Sequence, residues 1–308
     1  AYNVVYFVVE TFATPEPIYP NPETVGRTTG LADAIGSAPR DRRCPAAVDR
    51  RGSRRPWPSE ALTMPVPPAL LPSERYHRRR ANVYYGRTEL SIVMEIRAAV
   101  TENEGAPFRI ETVELEEPQA NEVLVRVVGA GVCHTDMIVR DQMYPTPLPA
   151  VLGHEGSGVV EGVGANVTAV EPGDRVVLTF DSDQDCTSCN AGHPAYCEDF
   201  FAHNFGGSRP EDGTSPLSRD DEALSGRFFG QSSFATHSIA TERNVVKVDD
   251  DVPLELLGPL GCGIQTGAGA VINTLDPQAG SSIAIFGAGS VGLSALLGAD
   301  IKGCTDIV

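Results

Sequence analysis

The spacing of hydrophobic positions changes twice along this chain. Over residues 1–93 neither a two-residue nor a helical period persists, and 12 of the chain's 24 prolines fall there with arginine runs such as Arg78-Arg79-Arg80. Such composition rarely buries enough apolar surface to fold, which predicts a disordered extension. Met94 opens Met94-Glu95-Ile96-Arg97-Ala98-Ala99-Val100, an ordinary strand start. Met94 therefore reads as the initiator and the preceding stretch as translated upstream sequence; a flexible basic arm is the alternative.

From Met94 the pattern is β-rich. Residues 123–130 read as a strand, 156–164 as a strand punctuated by glycine, and 173–178 as a strand after the Pro172-Gly173 turn. Residues 203–226 are polar with Gly and Pro, which predicts a long surface loop, and short strands resume over 228–248. The spacing turns helical over 254–274, despite many glycines. Residues 282–286 then form a continuous apolar strand, 290–300 a helix, and the last residues enter another strand.

Composition narrows the picture. With 308 residues, 41% of them hydrophobic, the chain is long enough for two domains with real cores. A net charge of −17 argues against binding nucleic acid or an anionic membrane through a basic face. No apolar run approaches the ~20 residues that span a bilayer. The apolar run over residues 2–9 lacks the basic start and small-residue cleavage site of a signal peptide, so a soluble, cytoplasmic protein is expected. Residues 1–93 hold 13 arginines against 9 acidic residues, whereas residues 94–308 hold 11 basic against 32 acidic ones. An acid-rich, lysine-poor part of this kind stays hydrated in concentrated salt, and predicts a halophilic source.

Seven cysteines, an odd number, fit thiolate metal ligands better than a disulfide framework. Three motifs carry them and their neighbours: Gly131-Val132-Cys133-His134-Thr135-Asp136, Gly153-His154-Glu155 and Gly261-Cys262-Gly263. Cys133, His154 and Cys262 make a soft S, N, S donor set; a catalytic zinc uses three such ligands and leaves a fourth position open. Asp136 and Glu155 supply carboxylates able to hold the ligands from behind. Further on, Asp183, Cys186, Cys189 and Cys197 form a second group in which a carboxylate oxygen can complete a tetrahedral site; the alternative is a metal-free lobe held by packing. Phe286-Gly287-Ala288-Gly289-Ser290-Val291-Gly292 follows an apolar strand and opens an apolar helix, the context in which a glycine-rich turn binds a dinucleotide.

These residues resemble the zinc-containing alcohol dehydrogenases of the medium-chain dehydrogenase/reductase family, and most of all the aryl-alcohol (benzyl-alcohol type) dehydrogenases. The likeness runs from about residue 94 to 308. It implies an α/β protein with a β-rich part: a GroES-like, partly open β-barrel catalytic domain over 94–273, then the first part of a Rossmann domain, a doubly wound parallel sheet, over 274–308. By that resemblance Cys133, His154 and Cys262 hold the catalytic zinc, Thr135 takes the alcohol proton, and Asp136 and Glu155 stand behind the ligands. His134 lies near the cofactor pyrophosphate, Gly287, Gly289 and Gly292 form the turn, and Thr266 and Val291 lie against the nicotinamide of NAD. The family's structural zinc lobe spaces four cysteines C-x2-C-x2-C-x7-C; here Asp183 takes the first place. Many relatives end their proton relay in a histidine three residues after the threonine, where this chain has Ile138, so His134 is the substitute considered.

The expected activity is reversible, zinc-dependent transfer of a hydride from a primary, aromatic alcohol to NAD, giving the aldehyde, by a protein that is a homo-oligomer at full length. The alternatives are a glutathione-dependent formaldehyde or aliphatic alcohol dehydrogenase, and a non-catalytic zinc-binding fragment or scaffold. The acid that selects between NAD and NADP is expected about 20 residues after the turn, past Val308. The 308-residue chain is therefore expected to bind zinc without supporting turnover.

Overall fold

The computed structural model describes residues 7–9, 79–84 and 87–308, with side chains from residue 93 onward. In chain order the elements begin with β1 (Phe7–Val9), β2 (Arg79–Tyr84), β3 (Arg87–Thr101), β4 (Arg109–Glu116), β5 (Glu122–Ala130) and α1 (His134–Arg140). Next come β6 (Ala150–Val151), β7 (Gly156–Val163), β8 (Arg175–Leu178), α2 (Thr187–Asn190) and α3 (Phe200–Phe205). The hairpin β9 (Leu217–Arg219) and β10 (Glu222–Leu224) precedes β11 (His237–Thr241), β12 (Val245–Lys247) and α4 (Gly263–Gly269). The chain closes with β13 (Ser282–Phe286), α5 (Ser290–Ile301) and β14 (Asp306–Ile307).

Two antiparallel sheets make the β-rich part. One runs β10-β9-β4-β3-β2 with β6 paired to β3; the other runs β11-β5-β7-β8-β12. Period-2 alternation builds them: Met94, Ile96, Ala98 and Val100 of β3 turn inward onto Val113 and Leu115 of β4 and Leu124 and Ile239 of the other sheet. A second core gathers Val123, Val125, Val160, Val176 and Leu178. Each such Leu, Ile or Val contributes about 1.5–3 kcal/mol on burial.

The last part is α/β. β13 lies between β1 and β14, parallel to both, and α5 packs on α4. Their close approach depends on Gly267, where a Cβ would fall 2.0 Å from the carbonyl oxygen of Val291. No helix among the described residues is long and apolar enough to cross a membrane.

Two expectations need correction. Residues 203–226 are not one surface loop: His203, Asn204 and Phe205 are buried, and β9–β10 sends Leu217 and Leu224 into the main core. Arg209 in the same stretch is buried against Glu122 and Glu116. Two leucines in a polar run are too few to give a period, yet they are enough to anchor a hairpin. Strand structure also begins before Met94. β3 starts at Arg87 because its alternate apolar positions continue back through Ile92 and Leu90, and β1 and β2 also lie within the first 93 residues. The rest of the expected disordered extension, with Cys44 and Trp57, lies outside the described residues.

Candidate functional site

Three loops converge between the sheets and α4. Cys133 caps α1, and Asp136, three residues on, turns its fully buried carboxylate back toward it. Asp136 Oδ2 accepts the Cys133 backbone N–H at 2.9 Å, while Oδ1 accepts the Gly153 N–H at 3.1 Å and lies 3.0 Å from His154 Nδ1. One carboxylate thus ties two of the sequence motifs together. Gly153 is obligatory at that junction: its φ is +91°, and a Cβ would fall 2.5 Å from the Phe234 backbone nitrogen. Cys262 arrives from a 3-10 turn at the N-terminus of α4 and brings its sulfur to 4.0 Å from that of Cys133.

Potential ligand atoms of Cys133, His154, Glu155 and Cys262 all lie within 4.8 Å of one another. Glu155, expected behind the ligands, stands close enough to be a fourth donor; its Oε1 also accepts the Gly263 N–H at 3.4 Å. Thr135 Oγ1 lies 3.6 Å from Cys133 Sγ. His134 opens α1, is exposed, and is not among the clustered donors.

The four groups strongly perturb one another's protonation. Sharing of the Cys262 proton draws Cys133 well below the ordinary thiol range and drives Cys262 far above it. Burial opposes protonation of His154, but the carboxylate of Asp136 and the Cys133 sulfur outweigh it and raise the ring to about 9. Burial, and then the Cys133 charge, pushes Glu155 upward. His154 Nε2 is buried without a well-formed hydrogen bond. With Nδ1 committed to Asp136, Nε2 is the nitrogen left to ligate. Two sulfurs, this nitrogen and an open side fit a zinc ion.

The second cluster is as tight. Asp183, Cys186, Cys189 and Cys197 place ligand atoms within 4.8 Å of one another. Asp183 Oδ1 accepts the backbone N–H groups of Asp185 at 2.8 Å and Cys186 at 3.0 Å, bonds that hold its carboxyl far below the usual range. Desolvation, followed by the nearby Asp183, pushes the Cys189 thiol up to about 12. Three thiols and a carboxylate repel one another once ionised, and a divalent cation relieves that repulsion.

The glycine turn joins β13 to α5. Gly287 adopts φ +112°, Gly289 caps the helix, and Gly292 is buried. Thr266, exposed on α4, donates from Oγ1 to the Cys262 carbonyl at 2.9 Å, next to the Gly267–Val291 contact. A strand, a left-handed glycine and a helix N-terminus fit a dinucleotide pyrophosphate. Beside Cys262 and Thr266 opens a cavity of about 500 Å³, lined among others by Phe180, Tyr196, Phe200 and Phe229.

This fold and donor set define a class. Residues 119–250 match the alcohol dehydrogenase GroES-like domain, and the chain is similar to zinc-type alcohol dehydrogenases. It is 55% identical over 211 residues to geraniol dehydrogenase of Castellaniella defragrans, covering 68% of this chain and 56% of that one. It resembles the crystal structure of benzyl alcohol dehydrogenase from Acinetobacter calcoaceticus with 55% identity and a TM-score of 0.66, over 69% of this chain and 57% of the other. An alcohol dehydrogenase zinc-binding domain protein from Burkholderia ambifaria gives 57% identity and a TM-score of 0.68, over 70% and 58%. The chain thus spans a little over half the length of these relatives.

Sequence reasoning assigned no role to several residues that shape the centre. Phe228 meets the His154 ring edge-on at 5.5 Å, and Phe229 stacks on it at 4.6 Å. Buried Gln231 donates to the carbonyls of His154 at 3.1 Å and Thr179 at 3.2 Å and accepts from Gly156 N–H at 3.1 Å. Buried Asp181 gathers His203, Arg227 and Arg243 at 3.2–3.3 Å behind the cavity wall at Phe180. The available signal was the Phe228-Phe229-Gly230 run, an aromatic pair ahead of a glycine.

Proposed function

We propose that the protein oxidises a primary aromatic or allylic alcohol to its aldehyde, with NAD as acceptor and zinc at Cys133, His154 and Cys262. The convergence of those three donors beside an aromatic-lined cavity carries the reading. The reaction is RCH2OH + NAD+ → RCHO + NADH + H+. When bound, zinc acidifies the substrate hydroxyl and the nicotinamide accepts the hydride.

The chain's own residues do the rest. Phe180, Phe200 and Phe229 present flat apolar surface to the substrate's unsaturated part, and so exclude water from the reacting carbon. Thr135 Oγ, half-buried beside Cys133, receives the hydroxyl proton and passes it outward, with the exposed His134 as the next acceptor. Asp136 keeps the proton of His154 on Nδ1. Gly287, Gly289 and Gly292 seat the pyrophosphate, while Thr266 and Val291 flank the nicotinamide. Asp183, Cys186, Cys189 and Cys197 hold a second, structural zinc. Residues 94–273 are the catalytic domain, whose first strand begins at Arg87, and 274–308 open the nucleotide domain. The working protein is a cytoplasmic, salt-adapted homo-oligomer.

The test is NADH formation by the intact gene product with benzyl alcohol, geraniol, ethanol and S-(hydroxymethyl)glutathione. The proposal expects the first two to give the higher kcat/KM. Equal or better turnover of the last two removes the aromatic and allylic assignment.

A further inference from the structure

Phe229 sits in a backbone conformation that a ring-bearing residue rarely takes, with φ +50° and ψ +35°. The turn that imposes this is held from behind. Fully buried Asn244 donates from Nδ2 to the carbonyls of Phe229 at 3.3 Å and Gly230 at 3.2 Å. Ser232 Oγ accepts the Phe228 N–H at 2.9 Å. Glycine would occupy position 229 without strain, so the ring has to be accounted for by what it touches.

It touches His154. The two rings stack with centroids 4.6 Å apart and planes 28° apart. Phe228 closes the arrangement from the edge, 5.5 Å from His154 at 89°. The Asp136 bond fixes one edge of the imidazole but leaves its plane free to tilt about that edge. A nitrogen lone pair lies in the ring plane, so a tilt carries it off the ion. Stacking removes that freedom.

We propose that Phe229 is a positioning residue for the metal: its left-handed turn presses the ring on His154 and locks the plane in which Nε2 points at the ion. The same ring lines the substrate cavity, which couples occupancy of the cavity to the geometry of the ligand. This inference rests on the zinc centre proposed above.

The test is zinc release from the metal-loaded chain to a chelator, followed with F229L, F229Y and C133S. The phase missing from C133S belongs to this centre; the remaining phase belongs to the cysteine lobe and serves as an internal control. Leucine keeps apolar bulk but has no flat face, whereas tyrosine restores the face. Groups that orient a metal ligand typically change affinity 10–100-fold, so F229L is expected to speed the C133S-sensitive phase about tenfold or more. F229Y should stay within about twofold of the unsubstituted chain, and the lobe phase should not change in either variant. With cobalt in place of zinc, F229L should also alter the ligand-field bands while F229Y preserves them. Release from F229L within about twofold of the parent, or F229Y as fast as F229L, overturns the proposal. A parent chain with no C133S-sensitive phase overturns the zinc centre itself, and this inference with it.

Discussion

Asp136→Asn is the sharpest perturbation of the site, because it keeps the shape and changes only what the two carboxylate atoms can accept. In the parent they take N–H groups from Cys133 and Gly153 at 2.9 and 3.1 Å and face His154 Nδ1 at 3.0 Å. An asparagine turned one way leaves the Cys133 N–H facing an amide nitrogen. Turned the other way it strands the Gly153 N–H and forces the His154 proton to Nε2, blocking the ligating lone pair. A buried donor left unpaired costs about 1–3 kcal/mol, so the metal-stripped variant should be less stable by about 2 kcal/mol. The loaded protein should lose more. Weakening the metal tenfold removes about 1.4 kcal/mol of linkage stabilisation, for a total near 3–4 kcal/mol. Urea unfolding of zinc-loaded and chelator-stripped protein, parent beside variant, separates the two losses. Equal losses in the two states, or a zinc affinity unchanged within about twofold, would show that Asp136 does not orient the ligand.

Asp181 gives the pH prediction. Its burial raises the carboxyl pKa, but the His203 hydrogen bond and the charges of Arg243 and Arg227 prevail, and the folded-state value lies below the ordinary one. The stability it contributes is therefore complete above the unfolded carboxylate pKa of about 3.9 and is lost as pH falls through the lower folded value. Asp181→Asn should flatten that acid limb and, by stranding buried arginines, cost about 3–5 kcal/mol at neutral pH in denaturant melts; an unchanged acid limb contradicts this. In the cysteine lobe, elemental analysis should find two zinc ions per chain in the parent, one in Cys186→Ser, and faster loss of the second from Asp183→Ala; an Asp183→Ala protein with parental retention removes Asp183 from the ligand set. Phe180→Ala should raise KM for benzyl alcohol about three- to tenfold, the worth of an aromatic contact of ~0.5–1.5 kcal/mol, while sparing ethanol; equal shifts would place the aromatic substrate elsewhere.

What could be read from the sequence follows from how local each feature is. Cys133, His154 and Cys262 carry chemistry that few other residues supply, and glycines adjoin His154 and Cys262 where the three donors converge, so residue type alone pointed to them. Strands β5, β7, β8 and β13 were readable because their alternation or continuous apolar run is long. Phe228 and Phe229 reach His154 only by tertiary folding across more than seventy residues of chain, and a left-handed phenylalanine has no local signature. Arg209 with Glu122, and Arg227 with Asp181, are charged residues buried as pairs. Polarity read along a chain predicts the surface, which is why residues 203–226 read as a loop. β1 sits in the apolar run over residues 2–9, which was weighed only as a signal peptide, and β2 begins inside the arginine run Arg78-Arg79-Arg80, whose charge masks a short strand.

The central claim is that two thiolates and one imidazole, distant in sequence, share one ion. Cobalt substitution of the full-length protein measures this most directly, since sulfur-to-cobalt charge-transfer absorption counts thiolate ligands at each site. The account predicts that C133S and C262S each remove part of that absorption, H154A shifts the ligand-field bands, and the contribution of Cys186, Cys189 and Cys197 stays intact in all three. Absorption that C133S and C262S leave unchanged, with the whole signal vanishing in C186S, would contradict it.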